Sequence, residues 1–348
     1  MQGAWDLKGE IMLKPYIKKA AERENLTSQE MKEAMEIMMT GKSSEAQIAA
    51  FLTALKMKGE TVEEISAAAM VMREKAHYIK IDKEVILDTC GTGGDYAETF
   101  NISTAVSVVA AACGVTVAKH GNRALTSKSG SADVLKALGV NVDASHDNIK
   151  NSIENIGIGF LFAPGCHMAM KYAAPVRREI GIRNIFNVLG PIINPARNTH
   201  HLMGVYAGSL TEKIAAVLKN MGNVHSLVIC GEGNVDEAVL WGNTSVAELK
   251  DGKITTYSIN PEEFGIEPCT QKEVIGSSPE ENAAIMAEVF AGKRKDAYYR
   301  IIVYNGAIAL YTADAVKSIK DGVLMAKDAI DSGRAADKLK QLVEYSNK

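Results

Sequence analysis

The chain has 348 residues, of which 47% are hydrophobic and 23% are charged. This composition is ordinary for a globular protein, the length suggests about two domains, and a disordered, collagen-like or coiled-coil chain is excluded. Lys and Arg number 39 against 42 for Asp and Glu, a net charge of −3, which disfavours general binding to nucleic acid or membrane surfaces.

The five cysteines are widely spaced and form no C-x-x-C pair. Their odd number disfavours a disulfide framework or a zinc ribbon and predicts a reducing, cytoplasmic location. Six charged side chains interrupt the first twenty residues, so we expect no signal peptide. The longest apolar stretch, 104–118, is shorter than the ~20 residues of a membrane-spanning helix.

After a loose extension over 1–11, residues 12–78 carry helical patterns. Gly41 and Gly59 stand where two helices should end. A hydroxyl residue followed three positions later by Glu or Gln marks a helix start. Three such capping boxes occur: Thr27-x-x-Glu30, Ser44-x-x-Gln47 and Thr61-x-x-Glu64. We predict a module of about four helices.

From Lys83 onward, short β-branched runs alternate with helical stretches, which is typical of a buried, largely parallel sheet. The predicted strands lie at 84–88, 114–118, 159–162, 202–206 and 226–230. Asp251-Gly252 within 245–258 predicts an antiparallel hairpin. Helices are predicted at 101–113, 131–138 and 210–221.

Residues 168–197 interrupt this alternation with three prolines and four arginines, and we interpret them as a return into the helical module. The predicted fold is therefore α/β: a large domain with a mostly parallel central sheet, 82–166 plus 201–348. A small discontinuous all-α domain, 12–78 plus 168–197, accompanies it.

The densest chemical signal is Asp88-Thr-Cys-Gly-Thr-Gly-Gly-Asp95, between a predicted strand and a predicted helix. Its three glycines allow backbone N–H groups to approach an anion closely. It matches neither the Walker A loop nor the dinucleotide fingerprint. On its own it indicates a phosphate loop of unspecified type, and a simple tight turn is the alternative.

Three further anion-binding elements follow within about forty residues, each at a strand-to-helix edge, where α/β proteins bind ligands. They are Asn101-Ile-Ser-Thr104, Lys119-His-Gly-Asn-Arg123 and Ser127-x-Ser-Gly-Ser131. Plain helix capping is the alternative for the first. Asp236-Glu237 follows a later strand, and such a pair suits Mg²⁺ with substrate phosphates, although a solvated loop pair has the same sequence.

In combination these motifs resemble those of the anthranilate phosphoribosyltransferases, from about residue 12 to the end. The motifs are Gly91-Thr-Gly-Gly-Asp95, Asn101-Ile-Ser-Thr104, Lys119-His-Gly-Asn-Arg123, Ser129-Gly-Ser131-Ala-Asp133, Pro175-Val-Arg-Arg-Glu179, Ile185-Phe-Asn187, Gly190-Pro191, Asn194-Pro195 and Asp236-Glu237. The resemblance implies transfer of a phosphoribosyl group from phosphoribosyl pyrophosphate (PRPP) to anthranilate, releasing pyrophosphate, in tryptophan biosynthesis. It also implies a helical domain hinged to an α/β domain, two Mg²⁺ ions per site and a homodimer formed through the helical domains.

The resemblance also assigns site residues. The metal ligands would be Ser103, Asp236 and Glu237, and anthranilate would meet Gly91, Asn122 and Arg177. Spacing alone does not choose among Arg177, Arg178 and Arg183; the resemblance points to Arg177. The PRPP contacts would be Gly91, Gly94, Asp95, Thr99, Asn101, Ile102, Ser103, Thr104, Lys119, His120, Gly121, Asn122, Arg123, Ala124, Leu125, Thr126, Ser127 and Ser131.

His120 is a candidate for proton transfer, because the positive charges of Lys119 and Arg123 should hold it neutral. The alternative is a pocket wall or a hydrogen-bonded structural histidine. Two rival functions remain open: a pyrimidine nucleoside phosphorylase of the same fold, which would need no carboxylate pair, and a non-catalytic nucleic-acid-binding relative, which should be basic and lack the metal ligands.

Overall fold

A computed structural model describes residues 12–95, 97–124 and 128–348. The predicted extension over 1–11 lies outside the described residues. So do Leu125, Thr126 and Ser127, three of the predicted PRPP contacts.

The chain divides into two compact units. The helical unit is the chain up to Tyr78 together with Pro164–Ile193, and the α/β unit is Ile79–Ala163 together with Asn194–Lys348. The returning segment thus begins and ends four residues before the predicted 168–197. It starts early because the N–H of His77 donates to the carbonyl of Cys166 at 3.0 Å. It ends early because the Asn194 amide bonds within the α/β unit.

The described residues form fifteen α-helices, which follow in chain order. They are α1 (Lys14–Ala21), α2 (Ser28–Met39), α3 (Glu45–Lys58), α4 (Val62–Lys75), α5 (Ile102–Ala112), α6 (Ser131–Ala137), α7 (His146–Ile156), α8 (Ala163–Cys166), α9 (Ala174–Ile180), α10 (Phe186–Ile192), α11 (Thr211–Asn220), α12 (Pro279–Phe290), α13 (Ala297–Thr312), α14 (Ile319–Asp331) and α15 (Arg334–Ser346). Within the described ranges, none of them combines the length and apolarity needed to cross a membrane.

Seven strands form one sheet in the order β3-β2-β1-β4-β5-β6-β7. The strands are β1 (Leu87–Gly91), β2 (Val117–Gly121), β3 (Ile158–Phe162), β4 (His200–Gly204), β5 (His225–Gly231), β6 (Thr244–Lys250) and β7 (Lys253–Ile259). The first five in chain order pair in parallel, and β5-β6-β7 pair antiparallel. The predicted, mostly parallel α/β sheet is confirmed, as is the hairpin, in which Asp251 and Gly252 have φ of 51° and 71°.

The helical unit begins as its capping signals predict. Thr27 and Thr61 each form the complete box with the glutamate three residues on, whereas Ser44 caps only the N–H of Gln47. Glu64 has a second role, because its carboxylate also accepts from Lys58 at 2.8 Å, with both side chains buried. This pair fixes the end of α3 against the start of α4.

Strands β1 and β2 each lie three residues later than the predicted 84–88 and 114–118. The polar residues at their ends belong to the sheet because Thr89 and Cys90 pair with Leu202 and Met203 of β4. A continuous apolar core of α5, α12, α13, α14 and α15 covers the sheet. The strand ends therefore carry the predicted loops directly from a rigid scaffold.

Candidate active site

The ends of β1 and β4 lie side by side where the strand order of the sheet reverses, the place at which open α/β sheets bind ligands. Gly91 ends β1 and pairs with Gly204, which ends β4. A Cβ on Gly91 would overlap Oδ2 of Asp236, and a Cβ on Gly204 would overlap the carbonyl oxygen of Asp236. Two glycines thus allow the Asp236 backbone and carboxylate to pack directly on the sheet edge.

Hydrogen bonds to Asp236 and to the end of β4 hold the glycine loop that follows β1. Gly93 and Gly94 have φ of 66° and 69°, conformations that glycine adopts without strain. The N–H of Gly93 donates to Oδ2 of Asp236 at 2.6 Å, and the N–H of Thr92 donates to the carbonyl of Gly204 at 3.0 Å. The loop is therefore coupled to the predicted metal ligand.

Three carboxylates gather beside this loop. The backbone N–H of Asp236 donates to Oδ2 of Asp95 at 3.2 Å. The N–H of Ser103, in the first turn of α5, donates to Oε1 of Glu237 at 3.1 Å, where the helix dipole favours negative charge. The structure thus joins Gly91, Asp95, Ser103, Asp236 and Glu237, which come from three separate parts of the sequence.

This donor set fits Mg²⁺. Burial raises the pKa of Asp236, and the charge of Asp95 raises it further. Burial likewise raises the pKa of Glu237 well above its usual range, with the charge of Asp236 adding to the shift. A dication among these oxygens removes that repulsion, and carboxylate and hydroxyl oxygens are the ligands that Mg²⁺ prefers.

Lys119 places a cation beside this cluster. Its side chain is buried, and Nζ donates to the carbonyl of Thr89 at 2.6 Å and to Oγ of Ser103 at 3.4 Å. Burial lowers the pKa of Lys119, while the charges of Asp88 and Glu237 oppose that shift. A buried ammonium beside Ser103 is suited to neutralising a phosphate oxygen.

The predicted residues at the start of α5 are held by a polar network. Asn101 does not cap the helix with its side chain. Its amide instead donates to the carbonyl of Ser129 at 3.1 Å and accepts from the Asn282 amide at 3.0 Å. Thr99 forms a bridge with Ile275. Ile102 and Thr104 are buried, so their side chains pack inside the protein at the start of α5.

The end of β2 carries the remaining PRPP candidates. The backbone N–H of His120 donates to Oδ1 of Asp88 at 3.2 Å, and the His120 ring is buried. The hydroxyl of Ser131 donates to the carbonyl of Asn122 at 3.2 Å, and a Cβ on Gly121 would overlap that hydroxyl. The exposed Arg123 guanidinium lies 5.6 Å from the ring centre of Phe162.

Ala124 and Arg177 complete the predicted set. The N–H of Ala124 donates to Oδ2 of Asp133 at 2.9 Å. Arg177 belongs to α9 of the helical unit, where its guanidinium lies 5.2 Å from the ring centre of Phe186. Burial lowers the pKa of Arg177, whereas Arg178 is exposed.

Sequence reasoning assigned no role to three supporting residues. Gly204 was predicted only as part of a strand, and Asn194 only as part of a motif. Asn194 donates through Nδ2 to Oδ2 of Asp88 at 2.8 Å and to the carbonyl of Ala118 at 2.7 Å. Asn305, fully buried in the apolar α13, accepts from the N–H of Ala238 at 3.0 Å and donates to its carbonyl at 2.8 Å. An Asn within an apolar helix is the signal that identifies such a residue.

Comparison with known proteins places both units in one family. Residues 83–336 match the glycosyl transferase family a/b domain, and residues 14–76 match its helical bundle domain. The chain is 47% identical over 339 residues to the anthranilate phosphoribosyltransferase of Symbiobacterium thermophilum, covering 97% of this chain and 98% of that protein. The chain belongs to the anthranilate phosphoribosyltransferase family.

Solved structures of this family superpose on nearly the whole chain. The anthranilate phosphoribosyltransferase of Thermus thermophilus matches with a TM-score of 0.91 and 39% identity, covering 96% of this chain and 99% of that one. The Saccharomyces cerevisiae enzyme in complex with PRPP and Mg matches with a TM-score of 0.89 and 28% identity, covering 96% and 98%. Another structure of the yeast enzyme contains 4-fluoroanthranilate. The predicted fold class and family are confirmed, and neither rival function is supported.

Proposed function

We propose that the family's reaction, transfer of the phosphoribosyl group of PRPP to the amine of anthranilate, takes place at the edge where β1 and β4 meet the Asp236-Glu237 segment. The observation that carries this proposal is the packing of Asp236 on Gly91 and Gly204. It unites a phosphate loop and a metal-binding pair, which are the two requirements of a pyrophosphate leaving group.

The reaction breaks the bond between C1 of the ribose and a pyrophosphate oxygen, and a bond from the anthranilate nitrogen to C1 replaces it. Negative charge develops on pyrophosphate, where loop N–H groups and Lys119 stabilise it. Bound Mg²⁺ supplies additional positive charge to the leaving group. The nitrogen then loses a proton, for which His120 is the candidate acceptor.

We propose that Asp236 and Glu237 hold Mg²⁺ with the hydroxyl of Ser103. Glu237 already accepts from the Ser103 N–H, so the bond that orients the carboxylate also holds the hydroxyl-bearing residue nearby. Two ions per site is the predicted stoichiometry, with Glu237 shared between them. Gly94, Asp95 and the 101–104 turn would complete the PRPP contacts.

For anthranilate we propose Arg177 as the partner of its carboxylate, with Gly91 and Asn122 as further contacts. The stacking of Arg177 on Phe186 fixes the guanidinium plane, and partial burial strengthens its charge-assisted hydrogen bonds. The neutral aromatic amine is a weak nucleophile, so orientation by such contacts accelerates attack more than deprotonation does.

The fluorescence of anthranilate provides the test. Protein, PRPP, Mg²⁺ and anthranilate are mixed, and each component is omitted in turn. We expect a fluorescence decay that requires all four components and stops on addition of EDTA. A folded protein that produces no decay, but cleaves pyrimidine nucleosides when given inorganic phosphate, would refute this function in favour of the phosphorylase.

We further propose a homodimer formed through the helical unit and a cytoplasmic location. Met57 on α3 is 73% exposed, the highest exposed fraction among the large apolar side chains of the described residues, which suits an interface. All five cysteines are free thiols, which suits a reducing compartment. Light scattering on the purified chain should give twice the monomer mass, and Met57→Lys should lower it; a monomeric wild type would refute the dimer.

A further inference from the structure

We propose that Asp88, Cys90 and His201 form a second cation site, separate from the Asp236-Glu237 pair, that binds a thiophilic divalent ion such as Zn²⁺ and thereby lowers transferase activity. Over residues 12–95, 97–124 and 128–348, this is the one group of three such side chains whose ligand atoms all lie within 4.8 Å of one another. A thiol, an imidazole and a carboxylate are ligands that Zn²⁺ favours over Mg²⁺.

The pairing of β1 with β4 brings these three side chains together. Asp88 and Cys90 are two residues apart on β1 and therefore project to the same face. His201 pairs with Asp88 from the neighbouring β4. Sγ of Cys90 lies 3.2 Å from Nε2 of His201 and 3.8 Å from Oδ2 of Asp88. Tetrahedral Zn²⁺ with ordinary bond lengths separates its ligand atoms by about 3.5 Å, so small side-chain shifts are sufficient.

The charges at the site also suit a dication. Asp88 and His201 are buried, and Cys90 is half-buried. Burial raises the pKa of the Cys90 thiol, the negative charge of Asp88 adds to the shift, and the positive charge of Lys119 opposes it. On binding, the metal–sulfur bond replaces the S–H bond and the proton passes to water. The carboxylate and thiolate then balance the dication, and a water takes the fourth position.

Occupation of the site would disturb the PRPP elements through Asp88. Its Oδ2 accepts from the Asn194 amide, which also holds the carbonyl of Ala118, and its Oδ1 accepts from the N–H of His120. An ion at Oδ2 competes with Asn194 for the same oxygen. The end of β2 would lose this support, and the 119–123 segment would shift.

Cobalt(II) tests binding without reference to activity. The full chain in excess Mg²⁺, which occupies oxygen-only sites, is titrated with Co²⁺ while the near-ultraviolet thiolate-to-cobalt charge-transfer band is followed. We expect one equivalent to produce the band, Cys90→Ser and His201→Gln to abolish it, and the control Cys113→Ser to retain it. No band in the wild type, or an undiminished band in Cys90→Ser, would overturn the site.

Zinc inhibition tests whether occupation of this site lowers transferase activity, a consequence that rests on the proposed function. With Mg²⁺ in excess, and with each rate compared with the same variant's rate without Zn²⁺, Cys90→Ser and His201→Gln should require at least about tenfold more Zn²⁺ for half-inhibition, since even loss of an outer-sphere partner weakens metal binding roughly 10- to 100-fold. Cys113→Ser should behave as wild type, and a chelator should restore activity. Equal Zn²⁺ sensitivity in all four proteins would overturn the inhibitory role. Thermal unfolding verifies that each variant is folded. If the chain has no transferase activity, the cobalt charge-transfer band still tests whether the cation site exists.

Discussion

Gly91→Ala isolates the contact on which the proposed site depends. Gly91 does not require a left-handed backbone, so alanine is compatible with its conformation and the effect is steric. The new Cβ would overlap Oδ2 of Asp236 and lie 2.6 Å from its Cγ, whereas ordinary contact begins at 3.4 Å, so the carboxylate must retreat by at least about 0.8 Å. A misplacement of ~1 Å costs ~100-fold in rate, which corresponds to ~2.7 kcal/mol of activation free energy.

The assay is steady-state anthranilate fluorescence at limiting Mg²⁺, with kcat/KM for PRPP as the readout. Gly208→Ala is the matched control, because a Cβ there meets nothing within 4 Å and its rate should equal that of the wild type. Thermal unfolding of both variants should remain close to wild type. If folded Gly91→Ala retained wild-type kcat/KM, Asp236 would not need its position against the loop, and the reasoning would fail.

Three further perturbations have defined outcomes. Arg177→Ala should weaken anthranilate binding by ~1.5–3 kcal/mol and so raise KM for anthranilate about 10- to 150-fold. Arg178→Ala should leave this KM unchanged. An unchanged KM in Arg177→Ala would refute the assignment. Asn305→Leu leaves the N–H and C=O of Ala238 unpaired, so urea unfolding should show a loss of about 2–6 kcal/mol and activity should need more Mg²⁺; a wild-type midpoint would contradict this. Burial lowers the pKa of His167 to about 4, so the folded state holds it neutral, and stability should fall as the pH drops from ~6.5 to ~4, by up to ~3 kcal/mol. His167→Gln should flatten that dependence in pH-resolved unfolding, and an unaltered slope would show that another group causes it.

The sequence predicted best those features whose physical cause is local. The boxes at Thr27 and Thr61 specify their own helix starts within four residues, and Asp251-Gly252 requires its own turn. The glycine loop was equally visible, because Gly93 and Gly94 have positive φ, which glycine adopts without strain. Such signals located the helical unit, the sheet and the glycine-rich loop after β1.

Features imposed by distant parts of the chain could not be predicted in this way. The requirement for Gly204 comes from the carbonyl of Asp236, and Asn305 acts on Ala238 from 67 residues away. The start of β1 depends on pairing with β4, so apolar content alone placed it too early. Cys90 and His201 become neighbours only through the same pairing.

The most direct test of the Asp236-Glu237 assignment is the Mg²⁺ dependence of Glu237→Gln. This change keeps the side-chain shape and an oxygen for the Ser103 N–H but removes one negative charge. Because its pKa is raised by burial, the charged carboxylate destabilises the folded protein at neutral pH, so the variant should be at least as stable as the wild type. Activity should nevertheless require at least about tenfold more Mg²⁺, whereas the exposed control Glu212→Gln should match the wild type. Wild-type Mg²⁺ dependence in Glu237→Gln would contradict the central claim.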